Sequence, residues 1–407
     1  MTQPADQPHL VVIGGGAAGL LILRQLSHSP PVPNLKLTLI DHKAFFEYTP
    51  SLIAVLFAKE EEDVDRHYHT ITRDYEDVAR AWKFEFIGAS VEHIDQGGVR
   101  VKGQSEPICF THLVIAVGSL WAEPWSLPSS SNLLSRQERL ADLRRHRQRY
   151  LEASSVLCVG GGPLSVEIGG EILTARPQTE VTIVSSSKHL LSEVPAKVGE
   201  AAKSILCRKN AKVIVGEKAR EVSSGVYETS ESKERLVADL VYLGQGSRPN
   251  TAFLSNSPLF AHQLTDKGNI RVDDHLRLHD HPNIYAIGDC NSVSEPKMFY
   301  TAHMQAIYFL QAFTSQLRNE EAPAYQGVLT SQIVSLGPSR GVAYTVGLSM
   351  TGYPFKEGSK LASVAKWAVE RMSMDVASTK GLGNRALYAI QHRGGTVARM
   401  GKKVGCL

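Results

Sequence analysis

A glycine-rich turn is the first segment of the sequence whose residue types and spacing indicate chemistry. An apolar run at 9–13 leads into the turn and a helical pattern over 17–26 follows it; the glycines are Gly14, Gly15, Gly16 and Gly19. In a GxGxxG turn the backbone comes close to a pyrophosphate, and the free amides and dipole of the helix N-terminus stabilise its negative charge. The spacing therefore predicts a binding site for a dinucleotide.

Asp41 strengthens this prediction. The alternating pattern over 35–41 predicts a second strand that ends at Asp41, 22 residues after Gly19 (41 minus 19). A carboxylate in this position of a βαβ unit accepts a hydrogen bond from a ribose 2′-hydroxyl. Strand, turn, helix and acid together indicate an adenosine dinucleotide.

The chain then repeats this architecture. The second unit has a strand, a glycine turn, a helix and a strand, predicted at 155–159, 160–162, 163–173 and 180–184. Its turn contains Gly160 and Gly162, but Ser165 stands at the third glycine position. A small residue there still lets the helix pack closely on the strand. We therefore expect a second nucleotide at this unit.

The choice of nucleotide at the second unit depends on Ser185. This residue follows the second strand, where an NADH-specific site usually has Asp or Glu, and Ser186, Ser187 and Lys188 come next. Without a carboxylate the 2′-phosphate of NADPH is not repelled. NADH and NADPH both stay open as donors, and Lys188 is either a contact to the nucleotide or a solvated surface lysine.

Length and composition predict a globular protein of two or three domains. The 407 residues, 43% hydrophobic and 21% charged, exceed what one core usually supports. A net charge of +3 is too small to predict nucleic acid as a partner. The cysteines are scattered, at 109, 158, 207, 290 and 406, so we expect neither a disulfide framework nor a metal site.

Three further features bear on the cellular location. The first ten residues lack the pattern of a signal or transit peptide, Thr2 replaces the glycine that myristoylation needs, and no segment is apolar for the ~18 residues of a membrane span. We expect a cytoplasmic protein, with peripheral membrane contact left open.

Two charged segments carry no nucleotide signal. The acidic run 60–63 is typical of a loop. The Pro- and Ser-rich segment 123–131 predicts a linker, and Ser135 with Glu138 in capping-box spacing predicts a helix after it. The arginines of that helix form a solvated face or, alternatively, an anion site: Arg144, Arg145, Arg147 and Arg149.

Five motifs in this order resemble the flavoprotein reductases with two dinucleotide-binding domains. They are GGGAAG at 14–19, AVGS at 116–119, GGGPLSVEIGGE at 160–171, GSRPN at 246–250 and YAIGDC at 285–290. Within that superfamily, segments 285–306 and 335–347 look like the apoptosis-inducing-factor-2, or ferroptosis-suppressor, branch, which is similar to the type II NADH dehydrogenases. The likeness covers roughly residues 8–350.

This resemblance implies one FAD, NAD(P)H as the electron donor and a quinone as the acceptor. It implies that Asp289 binds the ribityl chain of the flavin, that Gly118 turns near the adenosine half of FAD, and that Pro50 runs along the isoalloxazine ring. Each of the three also has a purely structural reading. Gly246 and Gly288, the glycines of the last two motifs, are assigned to the cofactor site as well.

The resemblance also implies that the second dinucleotide-binding domain is inserted within the first. The expected fold is α/β, with two Rossmann-like domains, for FAD and NAD(P)H, and a small α+β C-terminal region. The expected segments are residues 1–122 and 245–324 for the FAD-binding domain, 123–154 for a linker and helix, 155–244 for the NAD(P)H-binding domain and 325–407 for a C-terminal domain with a basic tail.

Hydride transfer between stacked nicotinamide and flavin rings needs position more than a catalytic side chain. Glu167, one turn into the second nucleotide helix, either orients the nicotinamide or is a plain polar helix residue. His303 and Gln305 are candidates for the acceptor side of the flavin. The sequence has no CxxC or CxxxxC pair, so we expect electrons to leave the flavin directly, and Cys158 and Cys290 are read as core residues.

The leading expectation is an FAD-dependent NAD(P)H:quinone oxidoreductase. Two alternatives use the same motifs and stay open. One is a redox-sensing binding protein of the apoptosis-inducing-factor type, and the other is a reductase of a small iron-sulfur or rubredoxin-like electron carrier.

The C-terminal tail concentrates positive charge. From Lys356 to Leu407 there are ten Lys and Arg against three acids, so 10 minus 3 gives +7. A helical pattern puts apolar residues on one face, with Trp367 beside them: Leu361, Val364, Ala365, Ala368 and Met372. Such a helix lies in an anionic membrane interface or packs on the flavin domain or a second subunit. The oligomeric state is left open.

Overall fold

Apolar strands and helices alternate along most of the chain, and this alternation produces layers of helix on sheet. The computed structural model describes residues 7–96, 98–128, 133–345, 347–352 and 358–377. The helices within these ranges are α1 Ala17–His28, α2 Leu52–Leu56, α3 Glu61–Thr70, α4 Tyr75–Trp82, α5 Arg136–Glu152, α6 Pro163–Ala175, α7 Ala196–Arg208, α8 Phe299–Leu317 and α9 Lys360–Ala377.

The strands of the described residues are short. They are β1 His9–Ile13, β2 Lys36–Asp41, β3 Phe45–Glu47, β4 Thr72–Asp74, β5 Glu85–Gly88, β6 Val91–Asp95, β7 Gly98–Val101, β8 His112–Ile115, β9 Ser119–Leu120, β10 Ser155–Val159, β11 Glu180–Ser185, β12 Lys212–Val215, β13 Ala219–Ser223, β14 Val226–Thr229, β15 Arg235–Val237, β16 Leu240–Leu243, β17 Arg248–Pro249, β18 Arg277–Leu278, β19 His281–Ala286, β20 Ser331–Ser335, β21 Gly341–Thr345 and β22 Leu348–Met350.

The first sheet has the strand order β18-β19-β8-β1-β2-β5. Its strands from β19 to β5 are parallel, and only β18 is antiparallel to its neighbour. Strand β1 is almost continuously apolar because helices or loops cover both faces of a parallel sheet. Strand β19 returns to this sheet after the chain has built the second one.

The second sheet is also parallel, with the order β12-β11-β10-β16. An antiparallel sheet of β13, β14 and β15 packs beside it through Tyr227 and Leu236, which are buried against Leu157 and Val159. Two parallel sheets, each built on a βαβ unit, confirm the predicted α/β fold with two Rossmann-like cores. The boundaries of the domains remain a proposal.

The third unit consists of the antiparallel sheet β20-β21-β22 and helix α9. Helix α9 packs on β20 and β21 and reaches α1 of the first unit, while α6 of the second unit contacts β20. This unit therefore spans both Rossmann-like cores. None of the helices in the described ranges combines the length and apolar character that crossing a membrane requires.

One prediction about charged segments is wrong. The acidic run is not a loop, since Glu61, Glu62 and Asp63 form the first turn of α3, where acids stabilise the helix dipole. Helix α5 has the predicted capping box of Ser135 and Glu138. Most of its arginines form a solvated face, as predicted, since Arg144, Arg145 and Arg149 are exposed and Arg147 alone of the four is buried.

The ion pairs of α5 join it to its neighbours. Arg144 binds Asp65 of α3 at 2.7 Å, and Arg147, which is buried, donates to Glu61 at 3.1 Å. Arg139 is fully buried, binds Asp142 at 2.9 Å and donates to Glu47 at 3.3 Å. The sequence does not show these partners because most of them lie more than 75 residues away along the chain.

Candidate functional site

The first glycine turn joins β1 to α1. Gly14 has a φ of +97°, and a Cβ there would lie 2.5 Å from the carbonyl oxygen of Ala116. A Cβ on Gly19 would lie 1.9 Å from the carbonyl oxygen of Gly14, whereas a Cβ on Gly16 meets nothing within 4 Å. Packing of the protein itself thus requires Gly14 and Gly19, and the free space lies at Gly16, where a pyrophosphate needs it.

Asp41 lies beside this turn, as its position in the sequence predicts. Its carboxylate accepts hydrogen bonds from the backbone N–H of Gly15 at 2.8 Å and of Lys43 at 3.0 Å. The hydroxyl of Tyr75 donates to the carbonyl of Gly15 at 2.7 Å, and the ammonium of Lys43 donates to that hydroxyl at 3.0 Å. These contacts hold the turn and the acid in one rigid network at the edge of a cleft.

The second glycine turn joins β10 to α6 and combines close packing at one glycine with free space at another, as the first turn does. A Cβ on Gly160 would lie 2.2 Å from the carbonyl oxygen of Gly244, while Gly162 has room. Ser165 is fully buried, and its Oγ lies 2.3 Å from the point that a Cβ on Gly244 would occupy. A small residue is therefore needed at the third glycine position, and serine meets that need.

Ser185 takes the place beside the second turn that Asp41 has beside the first. Its Oγ lies 2.3 Å from the point that a Cβ on Gly161 would occupy, and it accepts a hydrogen bond from the backbone N–H of Ser187 at 3.2 Å. Ser186 and Ser187 line the cleft as well. Lys188 is exposed and is not among the described residues that line the cleft, which favours the solvated lysine.

Three turns with positive φ form another part of the cleft wall. They contain Gly118 at +66°, Gly246 at +96° and Gly288 at +84°. Asp289 lies next to them and accepts a hydrogen bond from the hydroxyl of Ser119 at 2.7 Å. Burial raises the pKa of Asp289, and the Ser119 hydroxyl partly offsets that rise.

Lys297 lines the same wall, and sequence reasoning missed it. Its ammonium donates to the carbonyl oxygens of Asn291 at 2.9 Å and Val293 at 3.1 Å. Burial lowers the pKa of Lys297, and the charge of Asp289 opposes this effect. The first residues of α8, including Phe299, line the cleft next to it. An ammonium and a helix N-terminus thus bring positive charge to this wall, next to the carboxylates of Asp289 and Glu295.

Glu167 projects from α6 into a cluster that the third unit completes. Its carboxylate accepts hydrogen bonds from the backbone N–H of Ser335 at 3.0 Å and from the Ser335 hydroxyl at 3.2 Å. Lys366 of α9 forms an ion pair with the same carboxylate and donates to the Ser335 hydroxyl at 2.8 Å. Glu167 and Lys366 both line the cleft, so the pair ties the nucleotide helix to the C-terminal helix at the wall.

Glu171 lies one helical turn further along α6. Burial raises the pKa of Glu171 to about 7, and the negative charge of Glu167 adds to this while Lys366 opposes it. A carboxyl group that titrates near neutral pH beside a cleft can hold or release a proton under physiological conditions.

His303 and Gln305 differ in position. His303 is buried on α8 and lines the cleft, and its place on the acceptor side of the flavin remains a prediction. Gln305 does not line it in the described structure; its Oε1 accepts from the backbone N–H of Gly288 and from Asn291, each at 2.7 Å, and its Nε2 donates to Glu295 at 3.1 Å. The assignment of Gln305 to the acceptor side is therefore wrong, because its amide braces the Gly288 turn instead.

Cys158 and Cys290 are core residues, as predicted. Cys158 and Cys290 are fully buried, and burial raises the pKa of each thiol to about 12. Together with Cys109 and Cys207 they are free thiols. Cys406 lies outside the described residues. A thiol with so high a pKa is a poor nucleophile at neutral pH, so neither buried cysteine is suited to disulfide exchange.

The far wall of the cleft is mostly apolar. Pro50 lies in the short 3-10 helix Thr49–Ser51, and Tyr48 packs edge-to-face on Phe299 with ring centroids 4.6 Å apart. Ile53 lines the cleft next to them. Helix α9 closes this side with Ala365, Ala368 and Val369.

One continuous cleft contains all of these walls. Its volume is about 2140 Å³, well above the ~300–1000 Å³ of a site for one small molecule. Both glycine turns, Asp41, Ser185 and Asp289 line it. The room at Gly16 and Gly162 and the size of the cleft fit two dinucleotides with space for a further ligand.

The sequence from residue 8 to residue 306 matches the family model described as pyridine nucleotide-disulphide oxidoreductase. The chain belongs to this family. The cofactors of the family are FAD and NAD(P)H, as the glycine turns and the other motifs predict. The predicted likeness to the ferroptosis-suppressor branch is also confirmed.

Individual proteins show the same likeness. Ferroptosis suppressor protein 1 of Xenopus tropicalis is 28% identical over 348 residues, which cover 83% of this chain and 88% of that protein. Among solved structures, the sulfide:quinone oxidoreductase of Aquifex aeolicus has a TM-score of 0.69 at 17% identity, covering 92% of both chains. NDH2 from Plasmodium falciparum, in complex with NADH, has a TM-score of 0.70 at 15% identity, covering 93% of this chain and 99% of that one.

Proposed function

We propose that this protein passes a hydride from NAD(P)H to FAD and then electrons to a quinone-type acceptor. One observation supports the proposal most directly: both glycine turns open into the same cleft, and the cleft continues past them to a third, apolar wall. If a nicotinamide and a flavin bind in one cleft, that third wall remains available for an acceptor. Two neighbours in fold support the proposal, one a sulfide:quinone oxidoreductase and the other NDH2 in complex with NADH.

The residues of the first unit would hold FAD. In this proposal the Gly14–Gly16 turn receives the pyrophosphate, Asp41 the ribose and Asp289 the ribityl chain. FAD, when bound, accepts the hydride and releases electrons to the acceptor. Pro50 and Lys297 both line the cleft. In this proposal they lie near the ring system, and Lys297 supplies a positive charge there.

The residues of the second unit would hold NAD(P)H. The turn with Gly160 and Gly162 receives its pyrophosphate, and Ser185 faces the ribose. Glu167 is already fixed by Ser335 and Lys366, so it presents a defined edge to the nicotinamide. Positioning of this kind, rather than acid-base chemistry, is what hydride transfer requires of the protein.

The third unit would exclude water from the cleft and help to supply protons. Helix α9 covers the apolar wall, which keeps solvent from the reacting atoms. Reduction of a quinone to a quinol needs two electrons and two protons, and a hydride accounts for only one of the protons. Glu167 and Lys366 line the cleft, and Glu171, whose pKa burial raises to about 7, lies one helical turn further along α6. We propose that these three residues relay the second proton from solvent.

We also propose that α9 meets a membrane surface. Leu361, Val364 and Trp367 are 70%, 59% and 60% exposed, while Ala365 and Ala368 of the same helix line the cleft. The helix thus lies between the cleft and an exposed apolar surface, which suits an acceptor that arrives from a bilayer. The side chain of Met372 and the basic residues 378–407 lie outside the described structure.

The test of the proposed function is an acceptor panel on the purified flavoprotein. Anaerobic mixing with NADH or NADPH should bleach the flavin, and a short-chain quinone should restore its colour within the turnover time. If only a small electron-transfer protein restores the flavin colour, the result would favour a reductase of a small electron carrier. Rapid bleaching with negligible steady-state turnover on every acceptor would favour the redox-sensing protein.

A further inference from the structure

Strand β20 lines the cleft beside helix α9 and brings a polar group without a partner to it. Gln332 of β20 is only 6% exposed, it lines the cleft, and its Oε1 has no hydrogen-bond partner among the described residues. A buried amide oxygen that has lost its water and gained no partner is costly. Such an atom in a cleft wall indicates a ligand that supplies the missing hydrogen bond.

The neighbours of Gln332 do not meet this need. On the same strand, the hydroxyl of Ser331 is bonded to that of Thr345 at 2.9 Å, and Ser335 is bonded to Glu167. On the facing part of α9, Ala365 and Ala368 have no side-chain hydrogen-bonding group, and Lys366 is already bonded to Glu167 and Ser335. These polar neighbours are thus engaged with one another, which leaves the amide oxygen of Gln332 for a small ligand.

Other glutamines of the protein show the contrast. Gln305 uses both ends of its amide on protein groups. Gln316 likewise accepts from the Tyr285 hydroxyl at 2.6 Å and donates to the carbonyl of Pro282 at 3.1 Å. These two amides have structural roles, and Gln332 differs from them in having an unused oxygen.

We propose that Gln332 is the residue that hydrogen-bonds an oxygen of the quinone-type acceptor, and this rests on the proposed function. An amide suits both redox states of such a ligand, because its N–H donates to a quinone carbonyl and its oxygen accepts from a quinol hydroxyl. The amide gives up no proton itself. The two electrons and one proton come from the hydride, and the second proton comes from solvent.

This assignment predicts opposite effects on affinity and stability. Gln332→Leu keeps the approximate volume but removes the hydrogen bond that the amide N–H would donate to the quinone carbonyl, so KM for a short-chain benzoquinone should rise about tenfold. Ferricyanide also accepts electrons, but it has no carbonyl group for Gln332 to bind. The ratio of quinone to ferricyanide kcat/KM should therefore fall by about the same factor. The Tm without acceptor should stay or rise, because an unsatisfied buried group is lost.

Two further variants sharpen the test. Gln332→Glu keeps an acceptor for the quinol but, when ionised, offers no donor to the quinone. It should thus weaken quinone binding while retaining inhibition by added quinol. The matched control is Gln316→Leu, which removes a satisfied amide and should lower Tm without changing the quinone to ferricyanide ratio.

Two results would overturn the inference. One is a Gln332→Leu protein whose quinone KM lies within twofold of the wild-type value. The other is a Gln332→Leu protein that loses Tm as Gln316→Leu does and loses activity equally with quinone and ferricyanide, which marks a structural role. Failure of the proposed function has a different signature: the wild-type protein then reduces ferricyanide and no quinone, which also removes the ligand proposed for Gln332.

Discussion

The carboxylate of Asp41 accepts a hydrogen bond from the backbone N–H of Gly15 at 2.8 Å, and Ser185 occupies the corresponding place beside Gly161. The two nucleotide sites thus share one geometry and differ in charge at one point. In the first site the acid is anchored to the turn, where it would repel a phosphate on the ribose. In the second site the neutral hydroxyl of Ser185 takes the place of the acid. This difference affects whether the site accepts NADPH as well as NADH.

Ser185→Glu should therefore depress the use of NADPH far more than the use of NADH. A carboxylate beside the 2′-phosphate costs at least ~1.4 kcal/mol, so the ratio of kcat/KM for NADPH to that for NADH should fall about tenfold or more. Steady-state kinetics with both donors measures this ratio. Lys188→Glu, which changes charge at an exposed position off the cleft wall, is the control. Equal losses with both donors would show that Ser185 does not face the ribose.

Gly16→Val should remove FAD without unfolding the protein. No atom lies within 4 Å of a Cβ at Gly16, so the side chain fits the protein but fills the space for the pyrophosphate. The flavin-to-protein absorbance ratio should fall to near zero, while the circular dichroism spectrum stays that of a folded protein. Gly19→Val is the contrast, because a Cβ there would lie 1.9 Å from a backbone oxygen and should destabilise the fold itself. Full flavin content in Gly16→Val would refute the assignment.

The pKa of Glu171 gives a prediction for stability against pH. Burial raises it from 4.5 to about 7, so the folded state holds a proton that the unfolded state has released between these values. The contribution of Glu171 to the free energy of unfolding is then fully present below about pH 4.5 and is lost as the pH rises towards 7. Glu171→Gln should abolish this loss and be more stable than wild type at pH 8, by about 3 kcal/mol, but not at pH 4.5. Urea denaturation at both pH values tests it; parallel curves for the two proteins would contradict it.

The fold was predictable where local pattern determines it. Each βαβ unit lies within about 35 residues, and its apolar strands, glycine turn and helix are adjacent in sequence, so 9–41 and 155–185 could be interpreted directly. Ser165 was also interpretable, because close packing needs only a small side chain there. The role of the cysteines followed from their spacing.

Other features depend on partners far away in sequence. Glu167 was a candidate from its position on the helix, but Lys366, which pairs with it, lies 199 residues further on. Gln305 could not be recognised as a brace for the Gly288 turn without the turn's geometry. The arginines of α5 form ion pairs with acids in α3 and β3, whereas their local pattern indicates only a charged helix face. Tertiary contacts, not local preference, decide each of these cases.

Lys297 should raise the reduction potential of the flavin. Electrons that enter the site add negative charge, and an ammonium held in the wall by two carbonyl oxygens stabilises that charge. Lys297→Met should lower the two-electron midpoint potential by about 30 mV, which corresponds to ~1.4 kcal/mol. Lys297→Arg should retain most of the effect, and Lys188→Met should have none. Spectroelectrochemical titration measures all three; an unchanged potential in Lys297→Met would place the flavin ring elsewhere.

The last prediction concerns the contact of α9 with a membrane, and its design follows from the structure. Truncation after Lys360 would remove the whole of α9, including Lys366, which pairs with Glu167, and Glu370, which binds the Ser51 hydroxyl. It would therefore open the cleft as well as remove the tail. Truncation after Ala377 keeps the helix and removes only the basic segment. It should leave turnover with a short-chain quinone near the wild-type value.

The exposed face of α9 is tested by Trp367→Ser together with Leu361→Ser, with Val237→Ser as the control because Val237 is as exposed as Leu361, at 70%, but lies on β15. We expect the α9 variant to lose most of its sedimentation with vesicles that contain anionic lipid, since it loses the apolar contact that holds the helix in the interface. The protein truncated after Ala377 should lose the salt-sensitive part of its vesicle binding, at ~1 kcal/mol per basic residue near the surface. Activity with a long-chain quinone in those vesicles should fall in both, relative to activity with the short-chain quinone. If neither change affects vesicle binding, or if the α9 variant loses flavin, the helix covers protein and the membrane contact is wrong.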